Sequence, residues 1–430
     1  MSRFLDAARR KPVDATPIWL MRQAGRSLPE YRKLRERWTL AEIVAQPELC
    51  AEVTLQPVRR LGVDAAVMFA DIMLPVGGMG VAFELVENVG PVIDHPIATA
   101  EDVARLRVPE GEEAAPQVIA AVRRVVADSP VPVICFSGAP FTLASYLIEG
   151  RPSRTFAKVK AFMYTQPQAF DLLMDKLART MSRYLQAQVA AGAQVVQLFD
   201  SWVGALTRDD YETRVARHTR AIFNALAPTG VPRLHFGTDT AHLLESIVQT
   251  GPDIVSLDWR VPLDEGWERV GHERGIQGNL DPAVLLGPSD LIRARTNDLL
   301  RRAGGRPGHI FNLGHGVLPE STVENLQVLV ETVHSWVPAN VARAQDRRPV
   351  HGLREPRHGG GHRGVLHAHT RRKATVSGGT RGADPALPRH RRVTAHGGHA
   401  RSGASAGGAH RPAGVCRDAA RPAFHRRGRE

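Results

Sequence analysis

Eight short apolar segments alternate along this chain with stretches of helical periodicity, and that alternation leaves few architectures open. The segments span 17–21, 65–70, 131–136, 194–199, 233–237, 254–257, 275–280 and 309–313. Between them, 167–191 is the clearest helix. Phe170, Leu173, Met174, Leu177, Met181, Leu185 and Val189 recur at three- and four-residue steps. Pro167 suits a first helical turn and Gly192 a helix end. The same pattern predicts helices over 289–303, followed by Gly304 and Gly305, and over 320–336. Eight strand–helix units in about 330 residues predict a (β/α)8 TIM barrel. No G-x-G-x-x-G or P-loop follows any strand, which counts against an open doubly wound sheet. Residues 73–128 are too long for a simple crossover and predict an extra hairpin and helix after the second strand.

In such a barrel the chemistry sits at the carboxyl ends of the strands. Arg22 closes the first segment and Asp71 the second. Ser137 and Gly138 follow the third, Asp200 and Ser201 the fourth, and Thr238 and Asp239 the fifth. Asp258, Asn279, then Asn312 and His315 close the last three. Asp239 and Asp281 read as helix N-caps. Asp71 does not, because it lies in an otherwise apolar run where an acid is costly unless paired or functional. The first strand end, PIWLMRQAGRSLPEY (17–31), sets Arg22 and Arg26 around a Gln23–Ala24–Gly25 turn. Single arginines are usually solvated charges. Two around a small turn directly after a core strand read as an anion site, because a guanidinium binds carboxylates bidentately and keeps its charge.

Charge divides the chain in two. The whole carries a formal net charge of +12. Residues 346–430 hold 19 Lys and Arg against 5 Asp and Glu, and the preceding 345 hold 37 against 39. The domain of 1–345 is therefore mildly acidic. The Arg/Gly/His-rich tail, with 9 Leu, Ile, Val and Phe in 85 residues, is expected to be disordered. Its unperiodic bias has the look of a GC-rich frame read out of register, so the native chain is expected to end near Arg347. A nucleic-acid arm from Arg347 to Lys373, or metal binding at His358, His362, His367 and His369, would be the functional readings of the tail. Neither has aromatic interleaving or a finger spacing. Cys50, Cys135 and Cys416 form no C-x-x-C pair, which fits a reducing, cytoplasmic setting. No signal peptide and no membrane span are expected.

The run 17–31 closely resembles the N-terminal signature of uroporphyrinogen decarboxylases. FSGAPFTLASYLIEG (136–150), QLFDSWVG (197–204), QGNLDP (277–282) and NLGHGVLP (312–319) are similar to further motifs of that family, in order. The likeness covers residues 3–340. Ser27 stands where an aromatic is common and Ala70 where Ser is common. The resemblance implies a cofactor-free carboxy-lyase of porphyrin and haem biosynthesis. It would convert the four acetate arms of uroporphyrinogen III to methyls, giving coproporphyrinogen III and carbon dioxide. It also implies a cytoplasmic homodimer with no metal, nucleic-acid or membrane partner. The residues it implies for substrate binding are Arg22, Gln23, Ala24, Gly25, Arg26, Asp71, Tyr146, Ser201 and His315. Asp71 is the expected transition-state stabiliser, and Arg22 the carboxylate clamp and a candidate proton donor. The competing readings are a zinc-dependent corrinoid or thiol methyltransferase of the same barrel superfamily and, from the tail alone, a basic nucleic-acid-binding protein. NLGHGVLP has no cysteine beside His315 for a zinc thiolate set.

Overall fold

The computed structural model describes residues 2–337 except residue 88; the expected tail, 346–430, lies outside the described residues. Seven parallel strands form one sheet in the order β1 (Ala66–Val67), β4 (Val133–Gly138), β5 (Val195–Asp200), β6 (Arg233–Gly237), β7 (Ile254–Ser256), β8 (Gly275–Gln277) and β9 (His309–Ile310). Each lies within or across one of the apolar segments of the sequence, and helices connect them. The chain folds as the expected α/β barrel.

The eighth stave is residues 17–20, which close the ring without forming a regular strand. On one side Phe311 N–H donates to Pro17 O at 2.8 Å, and Ile18 bridges Phe311 in parallel. On the other side Asp64 N–H donates to Ile18 O at 2.8 Å. Regular pairing stops there because a side chain takes over: Asp64 Oδ2 accepts the Ile18 N–H at 2.8 Å. The same carboxylate binds Arg3 at 3.0 Å and His334 at 2.8 Å. The barrel seam is thus tied to the first and last described helices, Arg3–Ala8 and Val323–Ser335.

The insertion between β1 and β4 contains the expected hairpin, β2 (Phe83–Val86) against β3 (Gly90–Ile93), and helices including Ala100–Arg105 and Pro116–Asp128. The long helix runs Pro167–Ala190 and another Ser289–Ala303, where Gly304 takes a left-handed cap at φ 66°. The last helix starts at Val323 rather than 320. The Thr322 side chain accepts from Asn325 N–H and so marks the true N-cap.

The barrel interior carries a polar ladder. Trp19 Nε1 donates to Gln277 Oε1 at 2.8 Å. Gln277 Nε2 reaches Gln197 Oε1 at 3.1 Å and Ser256 Oγ at 2.9 Å. β5 and β8 are not neighbours in the sheet, so this bond crosses the interior. All four side chains are buried, and the bonds remove much of the cost of placing polar groups there.

Candidate active site

The loops after the strands meet at one end of the barrel, and the arginine turn is their hub. Its backbone is held from three sides. Met21 N–H donates to Asn312 Oδ1 at 3.0 Å, Val317 N–H to Met21 O at 2.8 Å, and Gln23 N–H to Leu20 O at 2.9 Å. Gln23 turns inward: its side chain accepts from Leu20 N–H and donates to Ala65 O, both at 3.0 Å. Gln23 is fully buried, so it serves the turn and offers no exposed donor to a ligand. Ala24 packs against the core. Arg22 and Arg26 are exposed.

Arg22 adopts φ 61°, a left-handed conformation costly for a residue with a Cβ. The tied turn holds it there. Its side chain runs against Gly316 so closely that a Cβ on that glycine would overlap Arg22 Cδ and stand 2.7 Å from Cγ. The glycine in NLGHGVLP therefore makes the channel along which the guanidinium stem lies.

Asp71 follows β1. One of its oxygens, Oδ1, accepts Met73 N–H at 2.8 Å in an Asx turn. Its residue surface is part-exposed, but dense protein surrounds the carboxyl. Desolvation raises its pKa above the usual carboxylate value, against the opposing pull of the Met73 hydrogen bond and the Arg22 charge. Tyr146, on the helix Pro140–Glu149, has its hydroxyl pKa raised by burial and then by the Asp71 charge, with Arg22 acting in the opposite sense. Its ring lies 3.9 Å from that of Trp202, tilted by 34°. Ser201 follows β5, and its carbonyl accepts from Thr238 Oγ1.

His315 Nδ1 accepts Gly316 N–H at 2.7 Å, which fixes the tautomer with the proton on Nε2. Burial first, then the Arg22 and Arg260 charges, lower its pKa to about 4. His315 is therefore a neutral N–H donor at neutral pH. The Arg22 charge is common to all three, reaching Asp71, Tyr146 and His315. Strand ends separated by 293 residues of sequence thus share one electrostatic neighbourhood.

Two features were not singled out by the sequence reading. Trp202 is the platform for Tyr146. Arg260 stacks on Trp259 at 4.1 Å and pairs with Asp239 at 2.9 Å and Asp258 at 3.2 Å. The run LDWR at 257–260, a strand end followed by an aromatic and a cation, was the available signal. Asp239 is not a helix N-cap. It sits at φ 57° with its carboxylate on Arg260, and the next helical turn has no side-chain cap. Asp281 does cap, accepting from Ala283 N–H at 2.9 Å. Among the described residues, no group of three or more His, Cys, Asp or Glu is placed to hold a metal ion, and no helix is long and apolar enough to cross a membrane.

The family model described as uroporphyrinogen decarboxylase (URO-D) matches residues 1–336. The chain is 51% identical over 334 residues to the uroporphyrinogen decarboxylase of Carboxydothermus hydrogenoformans, covering 77% of this chain and 95% of that one. It is 52% identical over 330 residues to that of Thermus thermophilus, covering 77% and 96%. Among solved structures, a methyltransferase from Methanosarcina mazei superposes with a TM-score of 0.64 at 22% identity, covering 77% of this chain and 96% of that one. That likeness shows the shared fold.

Proposed function

Since this chain belongs to the uroporphyrinogen decarboxylase family, we infer that it is a carboxy-lyase of porphyrin biosynthesis that converts the acetate arms of uroporphyrinogen III to methyls, with Asp71 at the centre of the chemistry. The observation that carries the assignment of Asp71 is its setting. One oxygen is anchored by Met73 N–H, and the carboxyl stands in the charge field of Arg22 and beside Tyr146.

The substrate carries an acetate and a propionate on each of four pyrroles. Arg22 and Arg26 suit its carboxylates as cationic forks, and neutral His315 adds an Nε2–H donor. Tyr146 and Ser201 offer hydroxyls at the same mouth. Loss of carbon dioxide requires a sink for the electron pair of the breaking C–C bond. Protonation of a pyrrole α-carbon creates that sink as a cation. Asp71, accepting the pyrrole N–H donors, stabilises the cation through a preorganised negative charge in a poorly hydrated place. The electron pair then flows into the ring to leave an exocyclic methylene, a second proton completes the methyl group, and loss of the α-carbon proton restores the neutral pyrrole. The substrate is its own electron sink, so the reaction needs no added cofactor. Arg22 is exposed, and a guanidinium is a poor proton donor in any protein. We therefore assign it to the clamp, and the proton to water or a substrate carboxyl.

The methyltransferase reading is not favoured beside relatives of this identity. The same reading makes the protein a cytoplasmic homodimer, supported by the family resemblance. Size-exclusion chromatography with light scattering tests the dimer. Anaerobic incubation of the full chain with uroporphyrinogen III, followed by chromatography for coproporphyrinogen III, tests the activity. Unchanged substrate after prolonged incubation would refute it.

A further inference from the structure

Asp200 ends β5 with its side chain completely buried, and the chemistry described above does not use it. A carboxylate in that position is costly unless its partners repay the lost hydration. Its Oδ1 accepts from Thr142 Oγ1 at 2.9 Å. Its Oδ2 stands 3.5 Å from His235 Nε2 and makes no hydrogen bond among the described residues. The bond to Thr142 is thus its firm attachment.

Thr142 passes that attachment on. A hydroxyl has one proton, and this one points at Asp200, so Thr142 Oγ1 is left as an acceptor. It receives Trp202 N–H at 3.3 Å. Thr142 lies four residues before Tyr146 on the helix Pro140–Glu149, so the two side chains share a face. The Tyr146 ring stacks on the Trp202 ring. Helix and turn are therefore joined twice, by Thr142 to the Trp202 backbone and by Tyr146 to the Trp202 ring. Ser201 is caught between Asp200 and Trp202, with its carbonyl bonded to Thr238.

We propose that Asp200, acting through Thr142, is a positioning residue that fixes the Tyr146 and Ser201 hydroxyls relative to each other across two neighbouring strand ends. The proposal rests on the reading of Tyr146 and Ser201 as substrate-contact groups. A purely structural tie would move stability alone, whereas a positioning role acts on substrate affinity.

The test is steady-state kinetics of the full chain with Thr142→Val, which deletes both hydrogen bonds at little change in volume. KM should rise about tenfold, the effect of losing a buried hydrogen bond, while kcat stays within about threefold. Thr142→Ser, which keeps the hydroxyl, should restore KM to within about twofold of wild type. In a Tyr146→Phe, Ser201→Ala background the Thr142→Val effect should shrink, because the groups it positions are gone. An unchanged KM with a lowered melting temperature overturns the proposal. If Tyr146→Phe and Ser201→Ala themselves keep the wild-type KM, the site reading falls and this inference with it. Raised KM in those two with wild-type KM in Thr142→Val overturns this inference alone. Should Thr142→Val not fold, Asp200→Asn gives the same decision: a KM raised about threefold supports the proposal and a wild-type KM overturns it.

Discussion

The side chain of Arg22 lies in the space left by the missing Cβ of Gly316. A residue at the end of the first stave is therefore shaped by a loop almost three hundred residues later. Gly316 is not in the left-handed region, so alanine is tolerated by its own backbone. Gly316→Ala should act by displacing Arg22 near the root of its side chain. KM for uroporphyrinogen should rise about tenfold, with a weaker dependence on salt than wild type. Kinetics at low and high ionic strength check this, and an unchanged KM would show that Arg22 does not hold the substrate.

Asp71→Asn should separate activity from stability. The amide still accepts Met73 N–H but carries no charge, so turnover should fall roughly 100-fold or more. The stability effect has the opposite sign. A carboxyl whose folded pKa lies above its unfolded value contributes stability below the unfolded pKa and loses it as pH rises through the folded one. Ionisation of this group is thus a burden on the fold. The variant should melt higher than wild type at pH 7, with the difference narrowing in acid. Calorimetry at pH 7 and pH 4 gives the comparison. If Asp71 acts as proposed, as an ionised carboxylate facing a cation, the acid limb of wild-type kcat/KM should lie above the ordinary carboxylate range.

His315 should stay neutral through the physiological range. With its pKa lowered to about 4, it titrates well below the ordinary histidine value near 6.5. Because the folded protein prefers the neutral ring, this residue costs stability as pH falls from about 6.5 towards 4. Two-dimensional proton–nitrogen spectra of the ring should show the Nε2–H tautomer at pH 7. A protonated ring at pH 6 would contradict the assignment.

Asp64→Ala should loosen the barrel seam. The change strands the Ile18 N–H and removes partners from Arg3 and His334. A loss of about 2–3 kcal/mol follows from leaving such groups unsatisfied, measured as a lower urea midpoint. Asp64→Asn, which keeps an acceptor for Ile18, should lose less.

How much of this was legible beforehand depends on the range of the interaction. Strand-and-helix alternation is a local pattern, so the barrel and its long helix followed from periodicity, and the hairpin insertion followed from the length of 73–128. The strand ends stood out because polar residues interrupt apolar runs. Gln23 was legible as part of the turn, but its inward orientation was not, since that depends on Ala65 O across the seam. The last helix starts three residues later than the expected 320, because the Thr322 side chain sets the cap.

Alone, the sequence determined the kinds of groups available: two arginines on a small turn, an acid in an apolar run, a histidine between glycines. These are properties of adjacent residues, and adjacency is what a sequence records. Only the tertiary structure decided which groups share a field. It brought Arg22 against Gly316 and within reach of Asp71, Tyr146 and His315, and it buried Asp200 against Thr142. Those relations depend on ring closure, which puts the first stave beside the last. Charge and desolvation act through space, so the acidity of Asp71 and the neutrality of His315 had no value until the barrel closed.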